Sequence, residues 1–456
     1  MRKDKLKGGK WAMLPVIFAL AWPTMLEQAM STAVQYVDAA MVGRLGARAT
    51  AAVGVTTTVN WMIGSTVSAL GVGFLSFIAQ AYGANDRQRA ARTSSQAVLA
   101  VLLSGTLFTV LPLALFRQVP VWMQADPDIQ ETAAWYFFIL YTPMLLRAAS
   151  IIFGTALRAA GDTKTPMRVG VGMNVINVAL NYLLIYPTHT VWGVTVPGAG
   201  LGVIGAAIAS AVSYAAGGIG ITWALWRHPV ISPRGQKLRP DWEILRPCLR
   251  VALPSTLQRF GTSFGYVAFA AMINALGTVP LAAHSIANTV ESAFYIPGYG
   301  MMTAAATLTG NALGAKDRRR MGDLAQMLLL LEVGMMVISG SLLFAFAPGM
   351  MGLFTADAAV IALGATVLRM VAVSEPFYGV AIILEGMLQG VGDTLTPFYF
   401  NIAGMWGVRI LGTFLCTRVF GLGLVAAWGC MIAHNLTLFA LLAIHYRRGR
   451  WNPLQG

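Results

Sequence analysis

Charge is what this sequence has least of. Only 11% of its 456 residues are Asp, Glu, Lys or Arg, against about a quarter in a soluble globular chain, so a water-facing surface cannot be built from it. Cysteine is scarcer still, and Cys248, Cys416 and Cys430 show no paired spacing. That argues against a disulfide framework and a zinc site, and redox chemistry gets no support. Enzyme signatures are missing as well: there is no HExxH, serine elbow or paired intramembrane aspartate. The Gly-x-Gly-Asp of Gly390 to Asp393 matches the short signature of intramembrane aspartyl proteases. Its second catalytic carboxylate is absent, however, so the match is taken as coincidence. The expectation is a protein that is not an enzyme and holds no cofactor or metal.

What the chain has instead is apolar length. Hydrophobic residues make up 57% of it, and runs of more than about 18 apolar residues, each enough to cross a bilayer as a helix, recur from end to end. A membrane barrel would alternate apolar and polar residues, whereas Val98 to Leu115 and Met327 to Ala347 are apolar on every side. Twelve spans are predicted, near 11–41, 50–81, 93–116, 130–158, 165–186 and 200–226, then 243–276, 281–313, 322–346, 357–389, 396–417 and 422–445. The start, MRKDKLKGGK, reads as the flank of an uncleaved first helix, because no small-residue cleavage site closes a short apolar core.

The formal net charge of +14 would suit nucleic acid, but the 32 basic residues fall in alternate loops. Both tails and the even-to-odd loops carry 24 of them, against four (Arg44, Arg48, Arg117 and Arg418) in the remaining loops. The positive-inside rule then puts both termini in the cytoplasm. The basic excess reads as topology and lipid head-group contact, not nucleic-acid binding.

An offset of 231 positions aligns the two halves without a gap from about residue 15 to residue 166. Pro23 meets Pro254, Gly83, Ala84, Asp86 and Arg87 meet Gly314, Ala315, Asp317 and Arg318, and GDTKTP from Gly161 meets GDTLTP from Gly392. The GDT-TP segments are read as helix punctuation, with Gly relaxing the chain and Asp or Thr capping. About ten extra residues around Val191 to Gly200 then shift the register, after which GLGVIGAA from Gly200 pairs with GLGLVAAW from Gly421. Six spans per half is an even number, so the halves enter the membrane in the same orientation. Secondary transporters are built this way, with their substrate path at the repeat interface. The expected domains are an N-terminal six-helix lobe at 1–227, a basic linker at 228–242 and a C-terminal six-helix lobe at 243–456. The fold class is thus an all-α integral membrane protein of two parallel six-helix repeats.

Ten charged side chains fall inside spans, where each costs at least ~2.5 to 3.5 kcal/mol unless paired or facing a cavity. They are Glu27, Asp38, Glu291, Glu332, Glu375, Glu385, Arg147, Arg259, Arg369 and Arg409. Structural pairing is the favoured reading of the four arginines and Glu332. In the first span Glu27, Ser31, Gln35 and Asp38 lie within about 80° on one helix face. The related positions of the seventh span are Gln258, Thr262, Tyr266 and Phe269, polar in part but without an acid. Asn174, Asn177 and Asn181 share about 60° of the fifth span and offer amide oxygens for a cation. A carboxylate beside amides suits reversible exchange of a proton or sodium ion. Asp38 and the asparagines can equally serve only to bond the first and fifth spans together.

Several segments carry a family resemblance: VDAAMVGRLG from Val37, the GAxDR loops after spans two and eight, LRAAGDTKTP, NVINVALNYLLIY, and LAAHSIANTVESAFYIPGYGMMTAA. The chain resembles the MATE (multidrug and toxic compound extrusion) transporters over nearly its whole length. The resemblance implies twelve helices in two lobes and export of organic compounds against an inward flow of protons or sodium ions. It makes Asp38 the cation-coupling aspartate, with a transient sodium ion as one occupant, and Asn177 and Asn181 its fifth-span companions. In DinF-like members the second companion is often Asp, and NorM-like members usually carry an acid in the seventh span, so Asn181 and Gln258 are departures. Glu27, Gln35, Asn174, Tyr266, Glu291 and Glu375 are the candidate substrate-cavity residues. The expected function is antiport of small cationic or amphipathic molecules across a bacterial inner membrane, with lipid and substrate as partners of a monomer. A flippase for lipid-linked sugars, of the same superfamily, is the alternative, although such proteins often have fourteen spans and a basic cavity.

Overall fold

A computed structural model describes residues 10–191 and 194–454 of the chain; the basic start read above as a helix flank lies outside them up to Gly9. Among the described residues, the helices follow in the order of twelve spans. The first repeat has α1 (Leu14–Gly43), α2 (Ala47–Gly83), α3 (Arg87–Leu115), α4 (Pro127–Tyr141 with Met144–Ala159), α5 (Lys164–Ile185) and α6 (Gly202–Arg227). The second has α7 (Trp242–Asn274), α8 (Thr278–Phe294 with Ile296–Gly314), α9 (Arg318–Gly352), α10 (Ala358–Val391), α11 (Leu395–Ile402 continuing to Val419) and α12 (Leu424–Arg447). Among the described residues, eight helices are each long and apolar enough to cross a membrane, and the two parts of α4 are so together.

Two spans are broken where the sequence predicted continuous helices. The halves of α4 meet at an angle of 51°. Pro143 stands at the break, and its ring nitrogen cannot donate to the preceding turn. Helix α8 is interrupted at Tyr295, two residues before Pro297. The inserted stretch after α5 is not helical either. It forms a hairpin of β1 (Pro187–Val191) and β2 (Val194–Ala199), paired antiparallel, beside the twelve helices.

The 231-residue offset extends to backbone geometry. Gly46 and Gly277 have φ of 104° and 109°, Gly161 and Gly392 have 82° and 89°, and Asn85 and Lys316 have 60° and 54°. Asp86 caps α3 by accepting from the Arg89 amide, and Asp317 caps α9 by accepting from the Arg320 amide. Asp162 and Asp393 each accept from the backbone N–H three residues on, at 3.0 Å. The GDT-TP segments therefore work as the punctuation their composition suggests, a left-handed glycine followed by a capping carboxylate.

The chain divides into two compact units that do not follow it end to end. One holds the described part of Met1–Met25 with Ala79–Asn85 and Arg250–Gly456. Its core packs Met13, Ile17 and Leu20 of α1 among Met301 and Leu308 of α8, Leu328 of α9 and Leu384 of α10. Thr24 pins α1 there by donating to the Gly300 carbonyl at 3.0 Å. In the same unit the ends of α2 and α8 cross without side chains between them: a Cβ on Gly83 would stand 2.0 Å from the Asn311 oxygen, and one on Gly314 1.9 Å from the Gln80 oxygen. These two contacts are repeat images of each other. Cys416 and Cys430, distant from one another in sequence pattern, are free thiols with sulfurs 3.7 Å apart.

The other unit holds Leu26–Ile78 and Asp86–Leu249. It includes the linker, which is strapped to α3: Arg92 reaches Asp241 at 2.5 Å, and the Gln96 amide both donates to the Arg239 carbonyl and accepts from the Asp241 N–H at 3.0 Å. His228 turns the chain at the end of α6, its Nδ1 accepting from the backbone N–H groups of Val230 and Ile231.

Candidate functional site

The polar face of α1 meets the asparagine face of α5 inside the second unit. Asn174, Asn177 and Asn181 are the buried positions of the central part of α5, three and four residues apart, so they stack along one side of the helix. Asn181 Nδ2 donates to Asp38 Oδ1 at 2.5 Å and to Asn177 Oδ1 at 3.1 Å. Turned over, the Asn177 amide instead places its nitrogen 2.8 Å and 3.2 Å from the two Asp38 oxygens, while its own oxygen accepts from Ser210 Oγ at 3.3 Å. So turned, the amide has both ends satisfied and an N–H toward the carboxylate. Asn181 Oδ1, buried, has no hydrogen-bond partner among the described residues. Among the described residues no basic side chain lies within ion-pair distance of Asp38.

Two participants were invisible in the sequence reading. Ser210, on α6, supports Asn177, and Tyr136, on α4, lies within Coulombic reach of Asp38. Ser210 follows the inserted hairpin, where the constant register between the repeats is lost, and a lone tyrosine in an apolar span carries no signal of its own.

The remaining candidates are dispersed. Glu27, on the same helix as Asp38, is held in an ion pair by Arg158 Nη1 at 2.9 and 3.2 Å, with both side chains largely buried. Gln35 and Tyr266 are exposed, and Asn174 is buried beside the other two asparagines. In the other unit, Glu291 is buried and accepts from the Tyr295 hydroxyl at 2.8 Å. Glu375 is fully buried, with Oε2 3.3 Å from the position a Cβ would take on Gly340. Glu332 is also fully buried, and neither of its oxygens is hydrogen-bonded among the described residues. Glu385 gathers amides, accepting from Gln258 at 2.8 Å and from Asn401 at 3.3 Å. Of the arginines given a structural reading, Arg147 donates to Asn60 at 2.6 Å and covers the Tyr214 ring, and Arg369 donates to the Phe344 carbonyl at 3.3 Å.

A tandem repeat of membrane-spanning helices with ionisable groups held inside the spans defines a multi-pass membrane transporter of the duplicated-bundle class. The particular family follows from comparison. The MatE family model matches residues 23–183 and again 254–415, and the chain belongs to that family. It is 26% identical over 435 residues to the probable multidrug resistance protein NorM of Thermotoga maritima, covering 95% of this chain and 92% of that one. It is 24% identical over 453 residues to the probable multidrug resistance protein YpnP of Bacillus subtilis, covering 96% of each. The crystal structure of MATE in complex with MaL6 superposes with a TM-score of 0.90 at 23% identity over the whole of both chains. That likeness concerns the fold alone.

Proposed function

We propose that the chain is a secondary antiporter that exports small organic, cationic or amphipathic compounds in exchange for protons or sodium ions. Family membership supports a membrane transporter, and the relatives named for multidrug resistance support export as its direction. One observation carries the coupling: Asp38 is a carboxylate inside a span, in contact with carboxamides and not with a fixed cation. Its charge is therefore free to be met by a mobile one.

Amides suit a site that has to serve both a loaded and an empty state, because a carboxamide can turn over. With its nitrogen inward, Asn177 donates to the bare carboxylate; with its oxygen inward, it joins the donor set of a bound sodium ion or accepts from a protonated carboxyl. Loading from outside and release inside, as the surrounding helices change arrangement, returns the site to its start. Protein and lipid are the only resident components this scheme requires, and no bond is made or broken in the substrate. The proposed setting is the inner membrane of a bacterium, with both termini in the cytoplasm and the transporter acting as a monomer.

Efflux of a fluorescent dye from proteoliposomes, under a separately imposed proton or sodium gradient, tests the scheme. Asp38→Asn is expected to abolish gradient-driven efflux while eluting and melting like the parent protein. Undiminished driven efflux by that variant would remove Asp38 from the mechanism.

A further inference from the structure

The second repeat has its own version of the place where Asp38 meets Asn177, and its polarity is reversed. In α11 the helix runs through π-helical turns at Ala403–Ile410 and Leu415–Val419. A π turn accommodates one extra residue without breaking the helix, and the family-matched segments, 23–183 and 254–415, differ in length by one. The burial pattern locates the insertion. Buried Asn174, Asn177 and Asn181 of α5 correspond to buried Met405, Arg409 and Thr413 of α11, so the offset passes from 231 to 232 between the first pair and the second. Asp38 corresponds to Phe269 at the constant offset of α1 and α7. Where the first repeat sets Asp38 against Asn177, the second sets Phe269 against Arg409.

The contact is made. The Arg409 guanidinium lies 4.2 Å from the Phe269 ring centre and 4.8 Å from that of Tyr266. The residue is 4% exposed, and Nε has no hydrogen-bond partner among the described residues. Among the described residues no carboxylate comes within 4 Å of it. The titratable groups facing it are Glu291 and His284 from α8 and His434 from α12, all within Coulombic reach. His284 is engaged, its Nδ1 accepting from Trp428 Nε1 at 3.2 Å, and Glu291 accepts from Tyr295. The guanidinium is thus held by two aromatic faces, a geometry that suits a desolvated cation, and it cannot lose its proton.

We propose that Arg409 is a tethered cation standing where the second repeat would otherwise exchange an ion, so that each cycle moves a single coupling ion, the one bound at Asp38. The inference rests on the reading of Asp38 as the coupling group. It turns a buried arginine, without an ion-pair partner among the described residues, into the residue that sets the stoichiometry.

Membrane voltage reads that stoichiometry directly. In proteoliposomes, one monovalent ion exchanged for ethidium, itself a monovalent cation, moves no net charge. Imposing 100 mV with potassium and valinomycin then leaves ethidium accumulation unchanged at a fixed ion gradient. Two ions per ethidium would move one net charge and shift accumulation about 50-fold. Parallel proton-only and sodium-only gradients identify the ion. A response of that size in the wild-type protein overturns the proposal, whatever the variants do. Arg409→Lys, which keeps the charge, is expected to stay voltage-insensitive. Phe269→Asp combined with Arg409→Asn rebuilds an acid facing an amide and is expected to become voltage-dependent by one charge. A double variant that elutes as a single species, transports ethidium and remains voltage-insensitive also overturns the proposal. Driven transport surviving in Asp38→Asn would instead sink the Asp38 assignment, and the two failures are read from different proteins.

Discussion

A single helix face of α1 carries two acids with opposite fates. Asp38 meets amides, whereas Glu27 is closed by Arg158, the two being 28% and 18% exposed. Glu27→Gln leaves the guanidinium partly buried without its counter-charge, and the expected loss is ~3 kcal/mol, at the low end for breaking a buried pair. A fall in the melting temperature of the detergent-solubilised protein, largely reversed by adding Arg158→Gln, is the measurement. Unchanged melting of Glu27→Gln would show that the pair contributes nothing. The sequence made Asp38, Asn177 and Asn181 legible because each lies on a helix face whose periodicity can be counted. The partner of Glu27 was not legible, because Arg158 counts as a loop base until α4 is seen to run to Ala159. The amide cluster on Glu385 was hidden for a related reason, since its members come from three different helices and no periodicity links them.

Among the elements, the close crossing of α2 and α8 depends on two glycines. Gly314→Ala or Gly83→Ala would drive a methyl group into a carbonyl oxygen of the opposing helix, and overpacking of this kind costs about 1 to 3 kcal/mol. Each single variant is expected to lower the melting temperature, and the pair by less than the sum, because one separation of the helices relieves both clashes. The linker offers a pH-dependent counterpart. Burial holds the His228 imidazole below the ordinary histidine range, with Asp162 opposing the effect, and its neutral Nδ1 accepts two backbone N–H groups. The folded pKa is below the unfolded one, so the contribution is full above about pH 6.5 and is lost as pH falls through the folded value. Proteolysis within residues 229–240 is therefore expected to speed up on acidification, and His228→Ala to be equally sensitive at every pH. Elements were legible where hydrophobic length and the repeat agreed, and Pro143 and Pro297 were visible as residues though not as breaks. The π turns of α11 left no trace in composition, because one added residue changes neither hydropathy nor helix propensity.

For the whole molecule, the repeat seen in the sequence and the compact units seen in space are different partitions of the chain. The buried core that takes in Met13, Ile17, Leu20 and Ala21 is otherwise made of residues beyond 300. A fragment of residues 1–227 made alone is expected to be digested rapidly by protease in membranes, and co-expression of residues 228–456 to restore a resistant complex that can be co-purified. Resistance of the first fragment by itself would show that the opening turns of α1 add little to stability. The same arrangement sets a delay during synthesis. At ~5 to 20 residues per second, about 15 to 55 s separate the emergence of Leu20 from that of Met301. For that interval the newborn first helix has lipid, or an insertion factor, as its only neighbour on the side that will later be covered.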